Sequence, residues 1–166
     1  KVEINTREHG SLHGLRRYPF EVENDWFRGD VEIQSYVAEE LFGTKLRALL
    51  QRRKNRDLFD LLHGLDVLPI EPAKVIASLD HYLSLEGTAI SRAEAEQRML
   101  EKLGRSLIED VVPLLPVGVR FEETDALRGF ERVWRELIQK MSGQPWKSTD
   151  RIIEQLRTTR FPTLLT

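Results

Sequence analysis

Lys45, Arg52, Asp57 and Asp60 are side chains whose types and spacing suit the handling of an anionic ligand. With residues set about 100° apart from Val37, the apolar Val37, Ala38, Leu41, Phe42, Ala48 and Leu49 share an arc of roughly 140°. Lys45 at about 80° and Arg52 at about 60° point into that arc, while Glu40, Arg47, Gln51 and Lys54 take the opposite, solvated side. A cation on an apolar arc has two explanations. Its stem can lie along the core edge while the charge escapes to water, or the helix lines a cleft in which the cations meet an anion, because an unpaired buried charge is costly. Asp57 and Asp60, spaced i, i+3, stand side by side with Gly64 on one face of the next helix, opposite Leu58, Phe59, Leu61, Leu62 and Leu65. Gly64 removes a side chain there and lets a backbone or a ligand approach. Ordinary capping chemistry also explains Asp57, and Asp60 can simply face water.

The elements that must position these groups are one amphipathic helix over 37–53, a break at Asn55 acting as N-cap, and a second helix into Leu65. Upstream, Lys1-Val2-Glu3-Ile4-Asn5 alternates as a strand does. Residues 6–24, with Gly10, Gly14 and Pro19, read as loop and irregular hairpin with a short strand near 19–22. A turn at Arg28-Gly29-Asp30 leads to a strand over 31–35 that pairs with the first. His9 and His13 share this loop with nothing to hold them together as metal ligands. Trp26-Phe27 reads as hairpin packing rather than a base-stacking platform. Downstream the chain is helical. Pro72 opens a helix to Leu85, stopped by Gly87. Ser91 and Glu94 form a capping box for a helix to Leu103, with Gly104 as C-cap. A short buried helix spans 107–115, a long one 122–141, and a last one follows Ser148 or Thr149 to Leu156. Arg151, Arg157 and Arg160 with Phe161 read as a solvated basic strip, and the tail 158–166 as loose. The fold class is mainly α with a small β portion, α+β: strands within 1–36, a helical domain over 37–160, and a tail at 161–166.

The 166 residues, 40% of them hydrophobic, can bury a real core, and a net charge of −2 advertises no global nucleic-acid field. With no cysteine there is neither a disulfide framework nor a thiolate metal site. No apolar run approaches the roughly 20 residues of a membrane span, so a cytoplasmic protein is the expectation.

Residues 39–49, Glu-Glu-Leu-Phe-Gly-Thr-Lys-Leu-Arg-Ala-Leu, followed by 51–61, Gln-Arg-Arg-Lys-Asn-Arg-Asp-Leu-Phe-Asp-Leu, resemble the signature of the AbiEii/AbiGii-type nucleotidyltransferases, toxins of abortive-infection toxin–antitoxin pairs. The resemblance implies that Lys45 is the catalytic lysine that contacts nucleotide phosphate, with Arg52, Arg53 and Arg56 in the same nucleotide-binding motif. It implies that Asp57 is the late acidic residue of the site, and that Glu3, on its strand, is the third acidic position of a nucleotidyltransferase sheet. Both would be catalytic and near metal, and Asp60 belongs to the motif. It also implies Mg²⁺ and an NTP as cofactors, an RNA acceptor such as tRNA, and a cognate antitoxin as partner. The Gly-Ser turn leading into an Asp-x-Asp pair, which that family uses for metal, is absent from this sequence. The expectation is therefore a C-terminal fragment whose strands 1–35 are the remnant of a catalytic sheet, inactive and cofactor-free by itself. The alternative is a non-enzymatic helical interaction module in which Lys45 and Asp57 form a structural ion pair.

Overall fold

The computed structural model describes residues 10–166. It is an α+β chain: a hairpin of β1 (Leu15–Asn24) and β2 (Phe27–Tyr36), then α1 (Ala38–Gln51), α2 (Arg56–Val67), α3 (Pro72–Leu85), α4 (Arg92–Lys102), α5 (Glu123–Glu136) and α6 (Thr149–Thr159), with 3₁₀ turns at Val112–Leu114 and Ile138–Lys140.

The hairpin replaces the expected loop over 6–24 and short strand at 19–22. β1 pairs antiparallel with β2 from Leu15 opposite Tyr36 to Asn24 opposite Phe27, so the strand expected at 31–35 pairs with 16–20. The Lys1–Asn5 strand, Glu3 and His9 lie outside the described residues. Pro19 does not prevent strand formation because a two-stranded ribbon has only edges, where proline is tolerated. The turn is Asp25-Trp26 rather than Arg28–Asp30, since the Asn24 side chain accepts from the amides of Trp26 (3.0 Å) and Phe27 (2.9 Å). Trp26 is 94% exposed at its tip, not packed. One face of the ribbon carries the Arg17–Glu32 and Arg28–Glu23 ion pairs. The other carries Tyr18, Phe20, Val22, Val31 and Ile33, following the strand period of two.

The helices close around one core in which Leu46, Leu49, Leu58, Leu61, Leu79, Met99, Phe130 and Trp134 are essentially inaccessible. The closest partners are α1 with α3 and α2 with α5. α1 turns a different face inward from the one its apolar arc predicts. Its buried residues are Glu40, Gly43, Leu46, Leu49 and Leu50, an arc of about 120–300° on the same wheel. Leu41, from the expected face, is 41% exposed. The reason is Gly43. A Cβ there would stand 2.4 Å from Ser78 Cβ, so the glycine marks where α3 lies against α1, and a hydrophobicity count cannot see it. α2 likewise buries Asp57 and Gly64 along with its leucines. The space Gly64 leaves is taken by the ring of Phe42 rather than by a ligand.

Other boundaries shift for local reasons. α1 stops at Gln51, not Arg53, and Arg52 is extended (φ −104°, ψ 153°). Gly104 does not adopt the left-handed C-cap conformation; the glycines with positive φ are Gly14, Gly87, Gly118 and Gly143. The segment 107–115 forms only the Val112–Leu114 turn, whose Val112 and Leu114 face solvent while Leu107 and Val111 are buried. The helix expected over 122–141 breaks at Leu137. Pro72 and the Ser91–Glu94 capping box stand as read. The tail is not loose: Phe161 and Leu164 are buried, and the Arg157 guanidinium donates to the carbonyls of Leu164 and Leu165. Arg160 donates to the Leu103 carbonyl and pairs with Glu123, so two cations of the expected solvated strip hold structure. Among the described residues no helix is long and apolar enough to cross a membrane.

Candidate functional site

The packing of α2 against α1 brings Lys45, Asp57 and Asp60 together. Lys45 Nζ donates to Asp60 Oδ2 at 2.7 Å and stands 3.7 Å from Asp57 Oδ1. The two carboxylates differ. Asp60 is half-exposed, whereas the Asp57 side chain is 3% exposed and its Oδ2 has no hydrogen-bond partner among the described residues. A buried acceptor left unmet costs about 1–3 kcal/mol, so the Asp57 carboxylate is held at a cost beside the Lys45 ammonium. Lys45 is 45% exposed. An ammonium has three donors, and with one on Asp60 and another directed at Asp57 there remains capacity to meet an anion from the open side. The side chain stands at the border of the buried face of α1 rather than in its middle.

The break between α1 and α2 is fixed from outside those helices. Lys102, in the last turn of α4, is buried and donates to the carbonyls of Arg52 (2.9 Å) and Lys54 (3.2 Å). Those carbonyls are thereby drawn out of helical register, which is why Arg52 is extended and its predicted place on the helical arc does not apply. Burial pushes the Lys102 ammonium down to about 8, against the upward pull of Asp110 and Asp57. Asn55 is buried and makes no cap with its side chain. Its amide donates to Asp110 Oδ2 (2.8 Å) and its Nδ2 to the Ser106 carbonyl (3.2 Å). Asp57 thus sits in the first turn of a helix whose start is held by the α4–α5 connection.

The arginines of the motif do not join the cluster as one group. Arg52 and Arg53 are exposed and line a cleft of about 350 Å³ against α4. Arg56 lines a smaller, largely apolar hollow of about 210 Å³ with Phe59, Asp60, Val111 and Leu115. Among the described residues no three His, Asp or Glu side chains converge to hold a metal. Asp57 Oδ1 and Asp60 Oδ2 already face the Lys45 ammonium. These residues by themselves do not fit a divalent cation, and Glu3 lies outside the described residues.

Three buried charges escape sequence reasoning, Glu40, Lys102 and Glu96, the last paired with Arg92 and accepting from the Trp146 amide and Thr149 Oγ1. Glu40, expected on the solvated side of α1, is wholly buried, accepting from Ser11 Oγ (2.7 Å), the amides of Leu12 (2.8 Å) and His13 (3.1 Å), and Tyr82 Oη (2.6 Å). Burial alone would raise its pKa, but the bonds from Tyr82, Ser11, Leu12 and His13 outweigh that and hold it below the usual carboxylate value. It ties the segment entering β1 to the helix that carries Lys45. His13 follows the same segment and stands 3.1 Å from Ser78 Oγ on α3. The one sequence signal for Glu40 is its helical spacing from the close-approach position Gly43, and that is read only once the partner helix is known. Lys102 carries no such signal.

The family model described as nucleotidyl transferase AbiEii toxin, type IV toxin–antitoxin system, matches residues 1–154. No solved structure matches the chain.

Proposed function

The chain belongs to the AbiEii nucleotidyl transferase toxin family, toxins of type IV toxin–antitoxin systems, and on that premise we propose that Lys45 and Asp57 serve nucleotide transfer from an NTP to an RNA hydroxyl. Membership implies an antitoxin partner. In the proposed reaction the acceptor oxygen attacks the α-phosphorus, the bond from that phosphorus to the bridging oxygen breaks, and pyrophosphate leaves. Negative charge grows on the phosphate oxygens as this happens, and a positioned ammonium is the residue type that stabilises it. Lys45 takes that part. Asp60 holds the Lys45 ammonium in place. Asp57 orients the acceptor hydroxyl, and Arg56, next to Asp57 at the start of α2, supplies further positive charge near the phosphates. tRNA is a proposed acceptor. Mg²⁺, which the family chemistry suggests, enters no step, because the described residues do not form its site.

The observation that carries this proposal is the Lys45–Asp57–Asp60 cluster: a half-exposed ammonium beside a buried carboxylate with one oxygen unpartnered among the described residues. The test is transfer of label from an α-³²P NTP to RNA by a polypeptide that carries this chain together with the Gly-Ser and Asp-x-Asp strand. Lys45→Ala and Asp57→Asn should each abolish labelling while leaving thermal unfolding cooperative. Labelling at the wild-type rate by Lys45→Ala would remove the proposed role.

One observation favours a second reading. The 2.7 Å contact between Lys45 and Asp60 is a formed ion pair, as a structural role in a helical interaction module requires. In that case Lys45→Met changes stability and antitoxin binding but there is no transfer to lose.

A further inference from the structure

We infer that the cleft between the C-terminal end of α1 and helix α4 binds phosphate groups of a nucleic-acid strand. Arg52 and Arg53 form one wall, Arg98, Lys102 and Arg105 the other, and among the described residues Glu101 is the one carboxylate that lines it. In a chain whose net charge is −2, five cations facing one acid across about 350 Å³ are a local concentration that neither core packing nor solubility requires. Like charges held this close repel unless a counter-charge joins them.

Internal partners leave most of this charge unanswered. Lys102 is committed to the carbonyls of Arg52 and Lys54, and it keeps the wall in place. Arg98 donates to the Leu50 carbonyl at 3.3 Å and stands 3.9 Å from Glu94. Arg52, Arg53 and Arg105 are exposed and make no ion pair among the described residues. Guanidinium groups present paired N–H donors that match two oxygens of a phosphate. Among the described residues no aromatic side chain lines the cleft, so they offer nothing on which a base could stack, and the ligand group is phosphate rather than nucleobase.

The cleft is a second anion site, because Lys45 is not among its lining residues. It adjoins the α1–α2 break, whose Arg52 and Lys54 carbonyls Lys102 holds. The choice of a strand, rather than a free polyphosphate, rests on the transfer role proposed for Lys45 and Asp57; the phosphate chemistry does not.

The test is fluorescence anisotropy of a labelled 12-nucleotide single-stranded RNA titrated with the chain over a salt series, with tripolyphosphate as competitor. Arg105→Glu, an exposed side chain with no ion pair to lose, is the first variant, and Arg98→Gln/Arg105→Glu the second. Each should weaken RNA binding about tenfold or more at low salt and lower the slope of log K against log salt by about 0.7 for each phosphate no longer neutralised. Tripolyphosphate should displace the RNA. Unchanged affinity and slope in both variants would overturn the cleft, and so would a wild-type chain that binds no RNA. Binding of tripolyphosphate without RNA would overturn the strand. Nucleotide binding with Lys45→Ala, measured separately, reports on the transfer role alone, so the two ideas can fail independently.

Discussion

Replacing Glu40 by glutamine keeps the shape of the side chain and removes its charge, in a pocket where four donors among the described residues meet the carboxylate. Oε1 accepts from the Leu12 amide and Tyr82 Oη, and Oε2 from Ser11 Oγ and the His13 amide. In either amide orientation the new NH₂ faces one hydroxyl and one backbone N–H. The hydroxyl can rotate and accept; the backbone amide cannot, so that N–H and the amide hydrogen facing it are both left unmet, at about 1–3 kcal/mol for each buried donor. The bonds that survive lose their charge assistance, roughly half of their strength. Relief from burying a carboxylate offsets part of this loss, and the net destabilisation expected is about 3 kcal/mol. For a domain of this size that lowers the melting temperature by roughly 6–12 °C. The pH dependence gives a second handle. The folded-state pKa of Glu40 lies below its ordinary 4.5, so the stability it supplies is complete above about pH 5 and is lost as pH falls through the folded value. Chemical denaturation of wild type and Glu40→Gln between pH 3 and 7 should show a gap widest near neutrality that narrows in acid. A difference below about 0.5 kcal/mol and flat in pH, the size of an ordinary surface substitution, would refute the four-donor clasp.

Gly43→Ala places a Cβ 2.4 Å from Ser78 Cβ and 3.0 Å from the Val75 carbonyl, and since backbone cannot yield as a side chain tip does, urea unfolding should show a loss of about 3 kcal/mol. The folded Lys102 titrates at about 8 and its unfolded form at 10.5, so between those values the unfolded chain holds the extra proton and stability rises with pH. That rise, read from denaturation at several pH values, should disappear in Lys102→Met. Leu164 is fully buried, and Leu164→Ala should cost about 2–3 kcal/mol by thermal unfolding, whereas a tail without packing would lose nothing.

Local grammar carried much of the fold. The Ser91–Glu94 box, Pro72 at the first turn and Gly87 after Leu85 each act within a few residues, and they set helix ends where the sequence reading puts them. What failed depended on partners distant in sequence. The inward face of α1 follows from α3 docking at Gly43. The early end of α1 follows from Lys102 claiming two carbonyls, and the buried Glu40 follows from donors at 11–13 and at Tyr82. At the candidate site, the motif spacing foresees that Asp57 and Asp60 lie near Lys45, because one tight helix–helix connection joins them. It does not foresee that Arg52 and Arg53 turn away toward α4, since that depends on the break being stretched open.

The role of Lys45 as a phosphate ligand is tested most directly by NMR of the ¹⁵N-labelled chain titrated with NTP to millimolar concentration, beside Lys45→Ala. The expected result is shifts centred on Lys45, Asp57, Asp60 and Arg56 that vanish in the variant. Shifts that persist unchanged in Lys45→Ala, or an NTP titration that moves none of these residues, would contradict it.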